Sequence, residues 1–65
     1  MSAVIVEEGG AYEVIIPSMG QIDRDVIVST LNLKRGTVSL RDKYLRDHYL
    51  GVFDLKQIIW KKRYK

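Results

Sequence analysis

The chain has 65 residues, 46% of them hydrophobic, and a formal net charge of +3. That length allows one domain, residues 1–65, whose core is close to the smallest that holds itself together, so tight packing or a partner is expected to add stability. With no cysteine and one histidine, His48, the sequence excludes disulfides, thiolate metal sites and paired-histidine zinc motifs.

Residues 3–16 read as an N-terminal β-hairpin. Both arms are β-branched and aromatic, and Gly9-Gly10 between them supplies the positive φ angles of a tight turn. Pro17, lacking an amide donor, ends the second arm, and Ser18-Met19-Gly20 is a loop.

Residues 21–33 place Ile22, Val26, Ser29 and Leu33 on one helical stripe, with Asp23 as a cap. The spacing predicts a helix, while the β-branched run Val26-Ile27-Val28-Ser29-Thr30 also suits a strand. A second helix is expected over residues 37–50. Leu40, Tyr44, Leu45, His48 and Tyr49 recur at three and four, Asp42 and Arg46 form an i,i+4 ion pair, Thr37 is an N-cap and Gly51 a stop. Residues 52–60 form a last apolar stretch read as a strand closing on the hairpin, and residues 61–65 a basic tail that need not be ordered. Together these give an α+β fold class: a hairpin, two helices and a C-terminal strand or tail.

Charge is unevenly shared. Residues 1–33 hold five acids and one base, a net of −4, whereas residues 34–65 hold ten bases and three acids, a net of +7. A basic half on an acidic half is the electrostatic form expected of a small nucleic-acid-binding domain. Lys61, Lys62 and Arg63 are suited to phosphates, and Tyr64 or Trp60 to a base or to the core. His48 reads as a core or boundary residue, and Glu7, Glu8 and Glu13 as a charged hairpin tip. No nucleophile, phosphate loop or ligand cluster calls for an enzyme, cofactor or metal. No run approaches the ~20 apolar residues of a membrane span, and the first residues lack the basic start of a signal peptide, so a cytoplasmic, membrane-free protein is expected.

The segment Leu31-Asn32-Leu33-Lys34-Arg35-Gly36-Thr37-Val38-Ser39 resembles a helix-turn-helix DNA-binding unit spanning residues 25–44. Leu31 stands late in the first helix, Asn32 opens the turn, and Thr37-Val38-Ser39 open the second helix. This resemblance implies a small winged-helix-like domain in which Lys34, Arg35, Thr37, Ser39, Arg41 and Lys43 face double-stranded DNA. It further implies a homodimeric transcriptional regulator or recombination accessory factor of phage or mobile-element type. Tyr12-Glu13-Val14-Ile15-Ile16-Pro17 is similar, in turn, to the strand-then-Ile-Pro signature of swapped-hairpin DNA-binding proteins of the AbrB/MazE type, which implies the same partner through an obligate dimer. The alternative from a different class is a protein–protein interaction module: an inhibitor, assembly factor or small subunit.

Overall fold

The computed structural model describes residues 4–65. Among these residues there are five strands and no α-helix: β1 (Ala11–Ile15), β2 (Asp23–Asn32), β3 (Thr37–Asp42), β4 (Tyr49–Asp54) and β5 (Ile59–Arg63), with 3-10 turns at Pro17–Met19 and Leu55–Gln57. The sheet order is β4-β3-β2-β1-β5 and every pairing is antiparallel.

This sheet is rolled. In a flat five-stranded sheet the outer strands lie ~19 Å apart, yet only residues 55–58 join β4 to β5. Three of those four form a 3-10 turn that rises ~2 Å per residue, too little to cross a flat sheet. Extents of 30 × 26 × 24 Å agree, since a single flat sheet would be far thinner. Register shifts between Val28 and Thr30, Glu13 and Val14, and Leu40 and Arg41 are bulges that bend the strands.

Rolling encloses a core of Tyr12, Val14, Ile16, Val26, Val28, Val38, Leu40 and Ile58. Burial alternates along β1 and through the middle of β2, which is the period-two signature of a strand with one face covered, whereas β3 buries Val38, Ser39 and Leu40 in succession. Trp60 packs edge-on against Tyr12 (5.2 Å, 81°) and donates its Nε1–H to Leu55 O (3.2 Å).

The expected α+β class with paired helices is therefore overturned. Residues 25–44, assigned to a helix-turn-helix, form a β-hairpin, and the winged-helix-like domain goes with it. β-branched crowding at residues 26–30 favours the extended chain over the helical stripe. Residues 33–36 form the turn, in which Gly36 takes φ +69° and Asn32 Oδ1 accepts the Arg35 N–H (3.1 Å). The second expected helix splits into β3, a loop and β4. Asp42 Oδ1 accepts the N–H groups of Tyr44 and Leu45 (2.8 Å each), a local turn that competes with the helix. That carboxylate is held below its usual range by the same two bonds, Leu45 first and then Tyr44. Gly51, expected as a helix stop, lies within β4 at φ +130°.

The N-terminal hairpin is also corrected. Ala3, where its first arm was expected to begin, lies outside the described residues, and residues 4–10 form no strand. Glu8-Gly9 do form a turn: Gly10 N–H donates to Glu7 O (3.1 Å) with Gly9 at φ +86°. The true partners of β1 are β2 and β5 of the same chain, in place of the hairpin exchange implied by the Ile16-Pro17 signature. The segment before β1 is fastened by Tyr12, whose hydroxyl donates to Ile5 O (2.8 Å) and accepts the Glu7 N–H (2.7 Å). Residues 61–63, read as part of a loose tail, belong to β5. No helix among the described residues is long and apolar enough to cross a membrane.

Candidate functional site

Part of the uneven charge of the sequence is paired in space. β5 returns beside β1, so the C-terminal bases meet the N-terminal acids. Lys61 Nζ lies 3.0 Å from Asp23 and 3.9 Å from Glu13, and Arg63 pairs with Glu7. Asp23 holds the Lys61 ammonium above its usual range, and Glu7 does the same for the Arg63 guanidinium. Among the described residues, the other bases, Arg24, Lys34, Arg35, Arg41, Lys43, Arg46, Lys56, Lys62 and Lys65, are in no ion pair.

Four of the unpaired bases fall at the two ends of β3. Lys34 and Arg35 sit on the β2–β3 turn, with Thr37 just after it. Arg41 and Lys43 lie at the far end, ~17 Å along the strand. Ser39, between them, is buried and hydrogen-bonded to Thr30 across the strands, so it offers no free hydroxyl to a ligand. The six residues are thus divided between the two ends of β3, with Ser39 buried between them.

At the Arg41 end a compact aromatic and basic cluster is built from three elements. Asp25 on β2 accepts hydrogen bonds from the hydroxyls of Tyr44 (3.0 Å) and Tyr64 (2.6 Å). Lys43, whose N–H donates to Asp25 O (3.0 Å), sets its ammonium 3.7 Å from the centre of the Tyr64 ring and 5.3 Å from that of Tyr44. Lys62 approaches the Tyr64 ring at 4.9 Å. Arg41 stands opposite Tyr49 across β3 and β4, and its Nε is buried without a hydrogen-bond partner. Tyr44 and Tyr49 remain 70% and 58% exposed, so their faces are open to a planar ligand.

Tyr64 reports on this cluster. Its hydrogen bond to Asp25, followed by burial, pushes the phenol up from 10.0 to about 12. The same carboxylate raises Tyr44. Because the neutral phenol is favoured in the folded chain, the associated stability is complete below pH 10 and is lost as pH rises through about 12. Alkaline titration followed by phenolate absorbance is expected to show a late phase near pH 12 that Tyr64→Phe removes. Absence of that late phase from the unaltered protein would show that the bond to Asp25 is absent.

Sequence reasoning included Arg41, Lys43 and Lys62 in the site and weighed Tyr64 for stacking, but it missed Asp25, Tyr44 and Tyr49. The interleaving of bases and tyrosines in residues 41–49 was the available signal, read instead as the two faces of a helix. His48, expected in the core or at its boundary, lies exposed just before β4. Glu7 and Glu13 serve as ion-pair partners in place of a free charged tip, and no group of three or more metal-binding side chains occurs among the described residues. Compared with protein-family models, with curated proteins and with solved structures, the chain matches none.

Proposed function

We propose that this protein binds nucleic acid on the face formed by Arg41, Lys43, Tyr44, Tyr49, Lys62 and Tyr64. The observation that carries this reading is the packing of Lys43 and Lys62 on Tyr64 beside the exposed rings of Tyr44 and Tyr49. Ammonium groups held at fixed positions suit phosphates, and open aromatic faces suit unpaired bases, the combination used to hold single strands. With no α-helix among the described residues to enter a major groove, the reading favours a single strand over base-specific recognition of a duplex. The acids nearby do not oppose it equally. Asp25 is occupied by two phenols and Asp42 by two backbone amides, which leaves Asp47 as the unengaged carboxylate of the loop.

Titration with a labelled single-stranded oligonucleotide and with a duplex, each at two salt concentrations, tests this. Affinity for the single strand should fall with a log–log slope of about −0.7 per phosphate neutralised. Tyr44→Ala and Tyr49→Ala should each weaken it by ~1–3 kcal/mol per stacked base. Lys43→Ala with Lys62→Ala should reduce both slope and affinity, whereas Lys61→Ala should change little because Asp23 and Glu13 already engage that ammonium. No binding at low salt, or equal losses from the Lys61 and Lys43 variants, would overturn the proposal in favour of a protein partner.

A further inference from the structure

Among the bases and rings of the candidate face stands an acid, Asp25, where a surface that meets phosphates has no use for negative charge. Asp25 lies on β2, which is paired with β1 on one side and β3 on the other, so its carboxylate is a fixed point. The two rings it holds are not on strands. Tyr44 belongs to the loop between β3 and β4, and Tyr64 follows β5. Each phenol donates to its own oxygen, Tyr44 to Oδ2 (3.0 Å) and Tyr64 to Oδ1 (2.6 Å), so the two bonds do not compete. The main chains are anchored separately. Asp42 Oδ1 accepts the Tyr44 N–H, and the Tyr64 N–H donates to Ala11 O (2.9 Å). With both backbones held, the freedom left to each residue is chiefly rotation of its ring, and the bond to Asp25 opposes that rotation.

Lys43 joins the same arrangement. Its N–H donates to Asp25 O (3.0 Å), and its ammonium meets both rings, 3.7 Å from the centre of Tyr64 and 5.3 Å from that of Tyr44. A ring that turned away would release the ammonium too. We propose that Asp25 is a positioning residue for nucleic-acid binding, ordering the Tyr44 and Tyr64 rings and the Lys43 ammonium before a strand arrives. This role rests on that face being the nucleic-acid site proposed above. A ligand that meets side chains already ordered is spared the entropy of ordering them.

The expected effect has the opposite sign to that of charge alone. Removing a carboxylate from a surface that meets phosphates lessens repulsion and should tighten binding. Where the carboxylate orders the rings, removing it weakens binding instead. Asp47 supplies the comparison, for it lies in the same loop as Tyr44 and, among the described residues, engages no base and no side-chain hydrogen bond.

Titration of a labelled single-stranded oligonucleotide at one salt concentration, well below the melting transition of every variant, tests this. Asp25→Ala should weaken binding about tenfold, the scale of one charge-assisted hydrogen bond. Asp47→Ala should bind as tightly as the parent or tighter. Tyr44→Phe with Tyr64→Phe keeps both rings, loses both hydroxyls and should reproduce the loss. Adding Asp25→Ala to that pair should weaken binding no further, since the bonds it breaks are already gone. Asp25→Asn, whose amide can accept from one phenol and donate to the other, should bind more tightly than Asp25→Ala. Without oligonucleotide, the late Tyr64 ionisation should be missing from Asp25→Ala. Circular dichroism verifies folding. Should Asp25→Ala not fold, the phenylalanine pair decides, because it leaves the carboxylate and both rings in place. An unaltered protein that binds no oligonucleotide at low salt would overturn the nucleic-acid reading and this proposal with it. A parent that binds, beside an Asp25→Ala variant or a phenylalanine pair that binds equally well or better, would overturn the positioning role alone. So would losses that add when Asp25→Ala and the phenylalanine pair are combined.

Discussion

Gly10→Val is expected to lower the melting temperature by roughly 10 °C, through collision with Tyr12. A Cβ added at Gly10 would lie 2.8 Å from both Cε2 and the hydroxyl oxygen of that ring. Tyr12 has no room to yield, for it is fully buried, meets Trp60 edge-on and holds Ile5 and Glu7 through its hydroxyl. Overpacking of this kind costs ~1–3 kcal/mol, a large share of what a domain this small possesses. Gly9 differs in kind. A Cβ there meets nothing within 4 Å, and the cost of Gly9→Ala is backbone strain at φ +86°, ~1–2 kcal/mol. Thermal melts of Gly10→Val with and without Tyr12→Phe separate the two causes. Removing the phenolic oxygen should relieve part of the collision, so the pair should be non-additive. An unchanged melt for Gly10→Val would remove Tyr12 packing as the reason for glycine at that position.

Leu40→Ala is expected to leave the chain largely unfolded at 25 °C. Leu40 is fully buried on β3, between Val28 of β2 and Gly51 of β4. On the β4 side the facing residue has no side chain with which to fill the void. Losing a buried leucine costs ~2–5 kcal/mol, whereas a core of this size seldom supplies more than ~3–5 kcal/mol. Leu45→Ala is the matched control, since that residue is 65% exposed in the β3–β4 loop and should fall within ~0.5 kcal/mol of the parent. Trp60 fluorescence and far-ultraviolet dichroism measure both. Cooperative, near-parental unfolding of Leu40→Ala would contradict the enclosed core.

Part of this architecture was legible in the residues. Tyr12, Val14 and Ile16 alternate into the core, and Pro17 opens the 3-10 turn just beyond β1. Residues 37–50 misled because two unrelated features mimic a helical stripe. Leu40 is spaced for a strand interior, while Tyr44, Leu45 and Tyr49 are exposed residues of a loop and an edge. What separates them is the acceptance of two amides by Asp42, an interaction that depends on side-chain conformation and leaves no periodic trace. The charge division misled for a different reason. Counting along the chain cannot show that β5 folds back on β1, which pairs Lys61 and Arg63 with N-terminal acids. Only the bases that this return leaves unpaired enter the candidate site, and their grouping around Asp25 depends on contacts between residues distant in sequence.

The placement of β5 beside β1 also governs when the fold can complete. Of the five strands, the one synthesised first waits for the one synthesised last, an interval of roughly 2 to 10 s at ribosomal rates of ~5–20 residues per second. Until then β1 offers an unguarded apolar edge to any neighbouring nascent chain. The bases that fill β5 shield that edge only on arrival, so for the emerging polypeptide the hazardous period is one of timing. Pairing of such long sequence separation also places its spontaneous refolding in the slower, millisecond-to-second range.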